Sequence, residues 1–184
     1  MLKKMKKVAI WCIIASLLIV NVAFSADVVV TGGSLEIDDL LIADFNPITL
    51  DGTTQDTSAV VTAMALTDSR GTGDGWNVSL KASQFEHGTI LGEKLPLDSL
   101  ALGTVSIVEK EGVTGSTAIA GIAILGGTID NVAGVVILNA PGDEGMGTYT
   151  VNMEDMTLTL KPATTYAGTY TSTVTMTFTS GPSA

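Results

Sequence analysis

Alternation with a period of two dominates the C-terminal part of the chain. Val174, Met176 and Phe178 alternate with Thr173, Thr175, Thr177 and Thr179, which predicts a strand with one apolar face and one hydroxyl face. Met156, Leu158 and Leu160 alternate with Thr157, Thr159 and Lys161 in the same way. Between Met153 and Met156 the apolar positions change parity, so Glu154 and Asp155 host a tight turn or a bulge. Residues 59–66 and 76–82 predict two further strands, joined by the loop 67–75. Residues 129–138 are more continuously apolar, the pattern of a strand buried on both faces. Gly, Asn, Asp and Pro punctuate these runs, and no segment sustains a 3.6-residue period between caps. The pattern therefore predicts an all-β fold, an antiparallel β-sandwich of Ig-like or Greek-key type. One domain over residues 26–184 is expected, with no linker and no second domain.

The N-terminus follows a different pattern. Lys3, Lys4, Lys6 and Lys7 precede an uninterrupted apolar run over residues 8–20, and Ala23 and Ser25 place small residues where a signal peptidase reads. Residues 1–25 are read as a secretory signal peptide, cut after Ser25 or Ala26. An uncleaved anchor is the alternative, but the run falls short of the roughly 20 residues that cross a bilayer. The mature form is expected to have no membrane span.

Composition changes the picture mainly through charge. The 184 residues carry 19 acidic and 9 basic side chains, a formal net charge of −10. That balance excludes a protein that tracks nucleic-acid phosphates. Removing residues 1–25 takes four lysines and no acids, so 5 basic against 19 acidic residues leave −14. Cys12, the one cysteine, lies in the leader, so the exported chain has no disulfide.

Enzyme readings fail on inventory. His87 is the one histidine, read as an exposed loop residue at a strand end. No Gly-x-Ser-x-Gly elbow accompanies it, so a nucleophile-base pair has no support. Zinc needs three or four Cys or His ligands. The acidic pairs Asp38-Asp39, Asp143-Glu144 and Glu154-Asp155 lack the alternating spacing of an EF-hand loop and read as solvated turns. Gly71, Gly73 and Gly75 resemble a phosphate loop, but a strand follows them where a helix is needed. No cofactor, metal site or catalytic residue is expected.

Asp68-Ser69-Arg70-Gly71-Thr72-Gly73-Asp74-Gly75-Trp76-Asn77-Val78 resembles the first signature of the WxL domain, a surface domain of Gram-positive bacteria. Val78 stands where that pattern has Leu. The stretch from Tyr166 to Phe178, ending near Gly181-Pro182, resembles the C-terminal signature, with Met176 and Phe178 in the places of a second Trp-x-Leu. Residues 45–52 and 158–163 resemble the family's opening and penultimate strands, so the likeness covers residues 35–182. It implies a secreted, extracellular domain held non-covalently on the cell wall through peptidoglycan.

The candidate residues for contact with the wall or a partner are Asp68, Arg70, Trp76, Tyr166 and Tyr170. Arg70 beside Asp68 in a Gly-rich turn either locks the loop or meets a ligand, and locking is preferred. Trp76 either stacks on a sugar ring or anchors the core; alternation with Val78 and Leu80 favours the core, and the same logic extends to Tyr170, Met176 and Phe178. At −14 the domain is repelled by anionic wall polymers, so attachment requires close contacts, a bridging cation or a partner protein. The alternative function is a structural subunit, attached through another surface protein or through self-association by strand pairing.

Overall fold

The computed structural model describes residues 28–182. The expected signal peptide and Cys12 lie outside the described residues. The chain divides into two units, and the described residues from Thr31 onward belong to the second.

Thirteen strands make up the second unit, in chain order Leu35–Ile37 (β1), Gln55–Ala59 (β2), Met64–Asp68 (β3), Trp76–Ala82 (β4), Glu86–His87 (β5), Leu100–Ala101 (β6), Val105–Glu109 (β7), Ala123–Ile124 (β8), Val135–Ala140 (β9), Gly147–Met153 (β10), Met156–Leu160 (β11), Tyr170–Thr171 (β12) and Val174–Ser180 (β13). Apart from two single-turn 3-10 helices, the rest of the described residues are turn and loop. Every strand pairing among the described residues is antiparallel, and the sheets run β1-β3-β10-β7, β2-β11-β6, β12-β5 and β13-β4-β9-β8. The fold class read from the sequence, an all-β sandwich built of antiparallel sheets, is the one observed.

The first two sheets share one register. Met64 lies opposite Val151 and Ala59 opposite Met156, so each strand advances five residues with no slip. Met153 opposite Val105 and Thr157 opposite Ala101 repeat this on the other side, four residues apart in each strand. All three strands break at one level, at residues 60–63, 154–155 and 102–104. Buried positions change parity there in each strand, as the sequence pattern at Glu154 and Asp155 requires. Glu154 N–H donates to Thr104 C=O at 2.9 Å, tying two of the broken strands together.

This break corrects the single strand expected over residues 59–66. The chain pairs as β2 and β3, and Val61 makes only an isolated bridge to Ile42. The strand expected over residues 129–138 is also shorter. Asn131 Oδ1 accepts the Ala133 and Gly134 N–H groups at 3.0 and 2.6 Å, making a turn that delays the strand to Val135.

Side chains of all four sheets or of the loops beside them meet in one hydrophobic core, centred on Leu66, Trp76, Val78, Ile137, Leu138, Tyr149, Val151 and Met156. In β4 the burial alternates strictly over Trp76, Val78 and Leu80. The opposite face of β13, with Thr175, Thr177 and Thr179, is exposed. No described helix is long and apolar enough to cross a membrane.

Candidate functional site

The five sequence candidates separate into two groups at opposite ends of the β4–β13 pair. That ladder runs from Trp76 opposite Ser180 to Ala82 opposite Val174, a span of about 20 Å at ~3.3 Å per residue.

Asp68, Arg70 and Trp76 form the first group. Arg70 Nε donates to Asp68 Oδ1 at 2.9 Å and Nη2 to Asp68 Oδ2 at 2.8 Å, a bidentate fork. Nη2 also donates to Gly75 C=O at 2.8 Å, and Nη1 to Ser180 Oγ. The Asp68 hydrogen bonds raise the guanidinium pKa above its ordinary value. Asp68 is buried, so its charge is neutralised inside the fold rather than offered to solvent.

Gly75 has φ +71°, and a Cβ there would sit 2.3 Å from Ala140 O. That close approach explains why the loop needs glycine before the tryptophan. The Trp76 ring is fully buried; its Nε1–H donates to Gly145 C=O at 2.9 Å and its face meets Phe178 edge-on at 5.8 Å. A ring so placed cannot stack on a sugar without opening the core.

Asn77 Nδ2 donates to Gly181 C=O at 2.9 Å, and Gly181 N–H to Gly75 C=O at 3.0 Å. The two signature stretches are thus neighbours in space: Val78 pairs with Phe178 and Leu80 with Met176. Met176 and Phe178 are half-buried at the margin of the core.

Tyr166 and Tyr170 form the second group. Tyr170 Oη accepts the Tyr166 N–H at 3.0 Å and donates to the Tyr166 C=O at 3.2 Å. Tyr170 is half-buried, its ring edge-on to His87 at 4.9 Å, while Tyr166 is 52% exposed. Both tyrosines border a groove of about 400 Å³, whose wall includes Ile48, Thr49, Leu50 and Thr165.

His87 corrects a sequence expectation. It lies in β5, buried, where an exposed loop residue is expected. Its Nδ1 accepts the Thr89 and Ile90 N–H groups at 3.1 and 3.0 Å, so Nε2 carries the proton that reaches Ala167 C=O at 3.2 Å. The imidazole therefore ties the 87–90 turn to the 166–170 segment that shapes the groove. The Gly88-Thr89 that follows it is a turn signal, but pairing with Tyr170 is a long-range event that no local pattern announces.

Two residues of the acidic pairs hold backbone groups of distant segments. Asp38 Oδ2 accepts Ala65 N–H at 2.9 Å and Glu154 Oε2 accepts Thr104 N–H at 3.4 Å. Among the described residues no three His, Cys, Asp or Glu side chains group as metal ligands do. One buried carboxylate was not singled out by its sequence: Asp130, whose Oδ2 accepts Ser99 N–H at 3.0 Å.

One all-β unit thus carries a locked Arg-Gly-Trp loop at one end of the β4–β13 pair and an aromatic-edged groove at the other. The family model that matches the chain is described as WxL domain, surface cell wall-binding, and it matches residues 33–182. The chain belongs to the WxL family and is a cell-wall-binding surface domain. No curated protein and no solved structure matches it.

Proposed function

We propose that the chain is a secreted WxL-domain protein, processed after Ser25 or Ala26, that holds peptidoglycan non-covalently through the groove beside Tyr166 and Tyr170. The observation that carries this reading is the separation of the candidates. Asp68, Arg70 and Trp76 spend their polar and aromatic groups on one another and on the backbone, whereas Tyr166 stays exposed beside a groove. Apolar walls from Ile48 and Leu50, flanked by the hydroxyls of Thr49 and Thr165, complement a pyranose ring, which offers C–H faces and hydroxyl edges. The role is adhesion, not catalysis.

Co-sedimentation of residues 26–184 with isolated walls tests the proposal. Tyr166→Ala should weaken binding about tenfold, ~1.4 kcal/mol, with an unchanged melting temperature. Sedimentation of that variant equal to wild type, or no sedimentation above a control protein with and without calcium, overturns it. The second reading, attachment through a partner protein, is favoured by the free edge of β13.

A further inference from the structure

The sandwich is open along one side. Its two margins there are β13, the edge of one sheet, and β1 with the irregular stretch that continues it to Phe45. β13 pairs with β4 over all seven residues and has no second neighbour. In an antiparallel ladder every other residue turns its N–H and C=O away from its partner strand. Along β13 these outward groups have no partner among the described residues.

The side chains of both margins are unfinished in the same way. Val174, Met176 and Phe178 on β13, and Leu35, Ile37, Leu40 and Ile42 opposite, touch the core yet stay half-buried. At the Val174 end the margins part into a groove of about 580 Å³ bordered by Ile42, Asp44, Phe45, Phe85, Ser172 and Val174. At the other end the Arg70–Ser180 hydrogen bond closes it. Free backbone groups beside a row of alternate apolar side chains are what an added strand requires.

Charge selects the occupant. β13 contains no ionisable residue, while the opposite margin carries Glu36, Asp38, Asp39 and Asp44, all exposed and none in an ion pair. Glu36 and Asp38 accept hydrogen bonds from Ser34 and Ala65, which bring no positive charge. A second copy would add four more carboxylates to the same place. We propose that this edge receives an extended strand of another protein, one with alternating apolar side chains and Lys or Arg at its flanks.

The inference rests on the partner reading of function, and two experiments keep them distinguishable. The first uses isotope-labelled residues 26–184 and two synthetic strands of alternating Val and Thr, one flanked by lysines and one by glutamates. The lysine-flanked strand binds at least tenfold tighter, slows amide exchange at residues 174–179, and loses its advantage in the Asp38→Asn, Asp39→Asn, Asp44→Asn variant. Equal binding of both strands, no binding, protection at another edge, or protection of 174–179 by self-association overturns the site. The second is cross-linking on intact cells through Thr177→Cys: recovery of no strand-bearing basic partner overturns the partner reading itself.

Discussion

Arg70 satisfies a buried carboxylate, a glycine carbonyl and a hydroxyl from the far end of the chain with one guanidinium. Arg70→Ala would leave Asp68 buried without its counter-charge, a loss of about 3–5 kcal/mol. Arg70→Lys should recover only part of it, because an ammonium cannot span the fork. Urea midpoints measure both, and wall binding by any Arg70 variant is interpretable only beside them. Tyr149 gives the second prediction at this scale. Its buried phenol shares one O–H between Thr117 C=O at 2.9 Å and Met146 C=O at 2.8 Å, and burial pushes its pKa above the ordinary 10.0. The fold prefers the neutral phenol, so this contribution is whole below about pH 10 and is lost as pH rises through the raised value. Unfolding midpoints should fall on that alkaline limb, with phenolate absorbance appearing as the chain unfolds. Tyr149→Phe should be less stable at neutral pH and show a flatter alkaline limb.

The common break across three strands is the element on which the two halves of the long sheet depend. A Cβ on Gly103 would sit 2.6 Å from Asp155 O and 2.7 Å from Glu154 O. Gly103→Ala should therefore cost about 1–3 kcal/mol, while Gly126→Ala, which meets open space without a positive φ, should stay within about 0.5 kcal/mol. Thermal melts of the two variants make the comparison. This region also marks how far the sequence could be read. The parity change between Met153 and Met156 announced the break in β10 and β11 because buried residues sit on both sides of it. Over residues 59–66 the same parity change, from buried Ala59 and Val61 to buried Met64 and Leu66, was masked because Val60, Ala63 and Ala65 between them are apolar too. The Asn131 and Gly134 turn was visible in composition but hidden by the apolar residues around it. Within the site, the Arg70 lock and the burial of Trp76 were legible from residue type and alternation. The groove was not, because it forms where residues 48–50 meet residues 160–170, a meeting set by sheet pairing rather than by local pattern.

For the whole molecule, charge decides how attachment responds to its medium. The processed chain would carry −14 and meet a wall of like sign, so salt should strengthen binding as the Debye length contracts to about 8 Å at physiological ionic strength. Sedimentation across a sodium chloride series reads this directly. A domain anchored by its lysines would show the opposite slope. The bonds that fasten the Gly-rich loop have a further consequence in time. Arg70 and Ser180 are 110 positions apart, and Asn77 and Gly181 are 104 apart. A chain that emerges N-terminus first from a ribosome or a translocation channel cannot make either bond until Ser180 and Gly181 have emerged. Until then β4 lacks one of its two neighbours and the loop stays unfastened, so this margin of the sandwich stays threadable while residues 174–181 are inside and sets only once they are out.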